Sequence, residues 1–350
     1  MESEETLVTA ALRELAQNLW SEQSLLFAHD ARSQPADLAL NSWPGRVASY
    51  WAQEVDRRWR RNREDWNGLS EDESSAIREL LKGTSSTQNA TRPAFAGLVF
   101  FLFAADPAFV EAHILPLFGR ETSASQMWGT YLLHPRFNDE MLRAGLLDSM
   151  VFEWSHLEDI GGRGLQDQFC MLAAKVVNSS GLTPLERQRV LDGAVIAADG
   201  KHAPSFASAV VRLFEPPHAD GAEAWDSWLR EHLVARLDGL PRTAGPEELA
   251  RWADVVPFLG GRIADAINLL NGIEIGLGEH YEAPSFPDGS LTAHGRELVR
   301  HLAKRIRNSI RTGLFQPYVV DRLISGVRAV VGDEVQPIVD AAHDRGFSLP

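Results

Sequence analysis

Cysteine is almost missing from this sequence: among 350 residues only Cys170 is one, set in the apolar run Phe169-Cys170-Met171-Leu172. A single cysteine excludes an internal disulfide and any multi-cysteine zinc site, and it suits the reducing cytoplasm. Long apolar runs are missing as well. The longest, around Ala94 to Ala105, falls well short of the roughly eighteen residues of a membrane-crossing helix. The acidic start Met1-Glu2-Ser3-Glu4-Glu5 is unlike a basic secretory signal, so a cytoplasmic protein without membrane contact is expected. Basic charge is in deficit, with 34 Lys and Arg against 48 acids and a net charge of −14. The chain as a whole therefore repels nucleic acid and anionic surfaces unless basic groups gather locally. Stretches in which β-branched or aromatic residues alternate with polar ones are almost absent, which argues against sheets.

What is present is helical grammar. Ser70-Glu71-Asp72-Glu73 is a capping box with its stop at Gly83, and Thr183-Pro184-Leu185-Glu186 joins a capping box to a proline at the first helical position. Asp106-Pro107 opens a further helix, and Asn138 stands at an N-cap before Met141, Leu142 and Leu146. Short Pro- and Gly-rich breaks at His134-Pro135, Gly181, Glu215-Pro216-Pro217, Gly239-Leu240-Pro241 and Gly260-Gly261 suit turns between antiparallel neighbours. The expectation is an all-α protein of about fifteen antiparallel helices, arranged as an irregular α-solenoid or HEAT-like stacked array, with a compact multi-helix bundle as the alternative. No repeat of fixed period is legible. Irregular stretches are expected at about 28–44, 83–93 and 278–292. They suggest an N-terminal helical segment 1–92, a central array 93–278 and C-terminal helices 279–350, expected as parts of one continuous unit.

The ten tryptophans fall at helical spacings, as in Trp51, Val55 and Trp59 or Trp225 and Trp228, and read as core rather than as a ligand platform. Glu153 and His156 are three apart, like half of a carboxylate-bridged metal site, but the same spacing recurs only at Glu215 and His218, across the Pro216-Pro217 break where no helix face can form. His29-Asp30 and His343-Asp344 lack further spaced ligands and read as solvated pairs. Gly161-Gly162-Arg163-Gly164 could cradle an anion, yet it lacks both the preceding strand of a dinucleotide site and the Gly-Lys-Ser/Thr of a phosphate loop. It reads as a turn. Cys170 reads as a buried neutral thiol, and no serine lies in a Gly-x-Ser-x-Gly elbow. No catalytic, cofactor-binding or metal-binding residue is assigned, and no cofactor is expected.

Two basic segments complete the reading. Residues 54–65 hold five basic and four acidic side chains, the pattern of a salt-bridged helix face. Between 296 and 311 six basic residues oppose one acid. Arg296, Arg300, Lys304, Arg307 and Arg311 form a stripe beside the apolar series Leu298, Leu302, Ile306 and Ile310. That stripe is the one candidate patch for an anion, nucleic acid or acidic partner; the simpler reading is that it neutralises acidic helices of its own chain.

Several motifs together resemble a known family. Ala105-Asp106-Pro107, Leu115-Pro116-Leu117-Phe118 and Met127-Trp128-Gly129-Thr130-Tyr131-Leu132 are similar to the uncharacterised helical region at the C-terminal end of large bacterial sirtuin-like defence proteins. Leu182-Thr183 with Glu186-Arg187, Trp225-Asp226-Ser227-Trp228-Leu229, Arg236-Leu237-Asp238-Gly239-Leu240-Pro241 and Glu247-Glu248 ahead of Trp252 continue the likeness, over about residues 98–275, and Ala342 to Phe347 also fits. The resemblance implies a shared fold more than a shared activity. NAD consumption in antiphage defence would belong to a preceding sirtuin-like domain, whose glycine-rich fingerprint and strands this sequence does not show. The resulting expectation is a non-enzymatic scaffold or sensor module that binds a protein partner, itself or a sirtuin-like effector. A hydrolase or nucleotide-processing enzyme with a site between helices is the first alternative, and nucleic-acid binding through the basic helix the second.

Overall fold

Ser70 accepts the backbone N–H of Glu73 at 3.3 Å while the Glu73 carboxylate accepts the N–H of Ser70 at 2.8 Å, and the helix Glu71–Leu81 starts there. Thr183 and Glu186 form the second reciprocal pair and open the helix Pro184–Ile196 with Pro184 in its first turn. Asp106 and Asn138 cap as their types dictate, bonding the N–H groups of Phe109 and Met141 at 2.9 and 2.8 Å. The structure, a computed structural model, describes residues 4–23, 35–83, 85–120, 123–215, 221–279, 281–287, 289–309 and 317–347. Helix makes up 78% of it, in about sixteen helices, and no strand is found among the described residues, so the all-α expectation holds. Two compact units divide the chain, Met1–Leu172 and Ala173–Pro350.

In the first unit the central element is the helix Ser86–Ala105, which packs on the helices Pro35–Asn41, Trp43–Arg61 and Ala124–Tyr131. Pro93 lies inside it, and an irregular stretch expected over 83–93 is instead helical from Ser86. An interior proline costs roughly 3 kcal/mol through a lost hydrogen bond and a ring clash. Burial of Phe95, Val99, Leu102 and Phe103 on the same helix offsets it, each side chain worth roughly 1.5–3 kcal/mol. The 92/93 division falls within this helix. The stretch expected to be irregular up to Pro44 is likewise helical from Pro35, since Pro35–Asn41 and Trp43–Arg61 begin there. Farther along, Phe118, Trp128, Tyr131, Trp154 and Phe169 meet edge to face with centroids between 4.9 and 5.7 Å apart. Such T-shaped pairs favour one ring arrangement over others of equal area. The helix starting at Asn138 is interrupted at Gly145, whose φ of 126° is open to glycine, before it resumes as Leu147–Glu153.

In the second unit the helix Ala203–Phe214 packs against Pro246–Ala253, and Ser290–Asn308 against Gln336–Asp344. Trp225, Trp228 and Trp252 are buried, and with buried Trp51 they carry the core reading of the tryptophans. The indole N–H of Trp225 donates to Asp265 at 2.8 Å and that of Trp228 to Asn178 at 3.3 Å. Among the described residues no helix is long and apolar enough to cross a membrane.

Candidate functional site

The basic stripe lies on the helix Ser290–Asn308, which buries Leu298, Val299, Leu302, Ala303 and Ile306 on its other side. Its cations turn to their own chain. Arg296 grips Glu334 at 2.9 Å, Lys304 donates to the carbonyl of Asn271 at 2.5 Å, and Arg307 reaches Asp344 at 3.3 Å. Arg300 is exposed, and Arg311 lies outside the described residues. The pairing with Asp344 also accounts for half of the His343-Asp344 pair, while His29-Asp30 lies outside the described residues.

Arg305, which the sequence places among the charges of that segment, is 2% exposed and points inward. Its guanidinium donates to the carbonyl of Ala250 at 2.8 Å, to the carboxylate of Asp254 at 2.8 Å and to the carbonyl of Gly276 at 3.2 Å, and it stands 5.7 Å above the Tyr281 ring. Asp254 is shared with Arg251, which also holds Glu247 at 2.8 Å. Glu247 accepts the N–H of Glu279 at 2.9 Å, and a side chain at Gly278 would meet its carboxylate. Nearby in sequence, Arg236 and Glu248 form a two-pronged pair at 2.6 and 3.0 Å with both side chains sealed from solvent. The remaining Arg236 nitrogen bonds the carbonyls of Leu240 and Arg242 at 2.5 and 2.7 Å and pins the turn after the helix Arg230–Leu237. Three arginines and three carboxylates thus balance inside one polar layer. Fork-shaped guanidinium–carboxylate pairs fix geometry as well as charge.

Two histidines adjoin this layer. Burial and the charge of Arg236 push His232 down to about 3, and burial with Arg305 and Lys304 does the same to His301. Both rings are therefore neutral near pH 7. His232 packs on Trp252 with centroids 4.9 Å apart, so it serves as a core aromatic.

The other singled-out residues are placed as follows. Glu153 is fully buried, neither carboxyl oxygen has a hydrogen-bond partner, and burial, assisted by Asp159, pushes it up to about 8. His156 stacks on Phe152 at 4.4 Å and is only half-buried, so the Glu153/His156 spacing does not assemble a ligand pair. No group of three or more His, Cys, Asp or Glu suited to a metal is found among the described residues. Gly161 ends a short helix with φ 130°, and Gly162 and Arg163 are exposed at the start of the helix Arg163–Val177. Cys170 is buried. In the first unit Arg57 pairs with Glu54 and Arg60 with Asp56 at 2.9 Å within the segment 54–65, while Arg58 reaches out of it to Glu73 at 2.7 Å on the helix Glu71–Leu81.

The sequence carried a signal for Arg305 that the stripe obscured: 298, 302, 305 and 309 follow one another at helical spacing on the apolar side. For Arg236 and Glu248 it carried none, since their twelve-residue separation crosses a turn. Comparison of the chain with protein-family models, with curated proteins and with solved structures finds no match, so the likeness to the sirtuin-associated helical region rests on the quoted motifs alone.

Proposed function

We propose that the chain is a non-enzymatic helical scaffold or sensor module that acts in the cytoplasm by binding a protein partner or a second copy of itself. The reading includes an irregular stacked-helix arrangement and, through the motifs quoted above, a role in bacterial antiphage defence beside a sirtuin-like effector. The observation that carries it is the paired state of the charged side chains. Arg236, Glu248, Arg251, Asp254 and Arg305 hold helices to one another, and Arg296, Lys304 and Arg307 are engaged by groups of their own chain. Ionic residues spent this way supply rigidity to a presenting surface rather than groups for turnover. The same pairing disfavours nucleic-acid binding through 296–311, because a phosphate at Arg296 or Arg307 would have to displace a carboxylate of the chain itself.

The test is affinity capture of the tagged protein at native abundance before and during phage infection, with mass spectrometry and nucleic-acid detection on the eluate, alongside sedimentation of the purified chain. A stoichiometric protein partner or a defined oligomer is the expected result. A monomer that captures nothing overturns the proposal, as does bound metal accompanied by turnover of nucleotide or phosphoester substrates. Nucleic acid that binds with a steep salt dependence and is lost in an Arg300→Glu, Arg307→Glu variant would establish the nucleic-acid reading instead.

A further inference from the structure

A cleft of about 290 Å³ opens in the first unit between the helices Glu4–Gln23, Trp43–Arg61 and Glu71–Leu81. Trp20 and Trp51 form its aromatic side, Asp72 and Glu79 its acidic side, and Gln17 and Ser75 add an amide and a hydroxyl. The helix Glu71–Leu81 supplies Asp72, Ser75 and Glu79 at spacings of three and four, so one helical face carries both carboxylates. Trp20 is held edge to face by Trp43, with centroids 6.0 Å apart at 67°, which fixes the orientation of its indole.

We propose that this cleft binds a small organic cation, an ammonium or guanidinium group carried on an apolar body. Indole faces are electron-rich and attract cations, most strongly where water is excluded, and a carboxylate beside them adds a directional partner. The two acids are under-used by the chain itself. Asp72 has one cation near it, Arg13, at 3.8 Å, while Arg13 is drawn the other way to Glu54 at 3.5 Å. No ion pair to Glu79 is found among the described residues, and Arg78, next to it in the chain, engages Glu71 instead, at 2.9 Å. The charged side chains that line the cleft are both acidic, which favours a cation over an anion there. The volume is at the small end of ligand sites, which suits a molecule the size of choline or agmatine. A bare metal ion would leave the indoles without a role.

The proposal goes beyond the scaffold reading and does not depend on it. Isothermal titration of the full-length chain with choline and with agmatine measures binding directly. The uncharged isostere of choline, 3,3-dimethyl-1-butanol, separates cation recognition from simple burial of methyl groups. Saturable binding of choline or agmatine is expected, with the isostere at least tenfold weaker. Glu79→Gln and Trp20→Leu are each expected to weaken the cation about three- to tenfold, the range of a partly exposed cation–aromatic or charge contact. Glu79 is exposed, so its variant keeps the fold even if Trp20→Leu disturbs it; unchanged circular dichroism verifies this. Absence of saturation with both cations overturns the proposal. So does equal binding of the isostere, or a Glu79→Gln chain that binds as the parent does.

Discussion

Glu153 makes the stability of the protein depend on pH, because it is a fully buried carboxyl without a hydrogen-bond partner. Burial raises it from 4.5 to about 8, and Asp159 adds to the same direction. The folded protein therefore keeps the proton over a pH range in which the unfolded chain gives it up. Its contribution is fully present below pH 4.5 and is lost as pH rises towards 8. The loss runs at about 1.4 kcal/mol per pH unit, which amounts to roughly 3 kcal/mol by pH 7 and on the order of 5 kcal/mol once both states are ionised. The perturbation is Glu153→Gln, which preserves shape and cannot ionise. Its amide brings two donors into a site without partners, so near pH 5 the variant should be less stable than the parent by about 1–3 kcal/mol. Near pH 8.5 the order should reverse. Urea unfolding midpoints followed by far-ultraviolet circular dichroism from pH 5 to 9 give the two curves, and all other titrating groups cancel in their difference. Curves that run parallel across that range would mean that Glu153 ionises alike in the folded and unfolded chains.

Removing one partner of the sealed pair strands a charge, so Glu248→Gln should cost about 3–5 kcal/mol in urea unfolding, whereas Arg236→Met with Glu248→Met should recover most of the loss. Arg305→Ala should destabilise on the same scale because Asp254 and two carbonyls lose their donor, while Arg296→Ala, on the solvent side of the same helix, leaves the midpoint unchanged. Ser70→Ala removes a cap and should lower stability by about 1 kcal/mol, read as a shift in the same midpoint. Gly295→Ala should also destabilise, since the added methyl would stand 2.8 Å from Val331, and Gly295→Ala with Val331→Ala should recover part of it.

Helix starts were legible because capping is local: Ser70, Asp106, Asn138 and Thr183 each bond an N–H three residues on, within reach of any window of sequence. Pro93 misled for the complementary reason. A local rule penalises proline in a helix, and the burial that outweighs it comes from helices elsewhere in the chain. The basic stripe was legible as a pattern, but its partners, Glu334 and Asp344, lie 38 and 37 residues away and carry no mark in the sequence. Glu153 sits in phase with Met150, Trp154 and Leu157, a spacing that placed it on an apolar face; its identity as a carboxylate drew attention to chemistry instead.

The reach of Arg305 has a consequence in time. The helix Pro246–Ala253 has only eight residues, too few to persist alone in water, and the carbonyl of Ala250 within it receives a donor from a side chain 55 positions onward. During synthesis from the N-terminus, that stretch leaves the ribosome unfinished. The bonds to the Ala250 carbonyl and the Asp254 carboxylate form only after the segment bearing Arg305 has emerged and coiled, so this helix gains its full stability later than the order of synthesis alone would give.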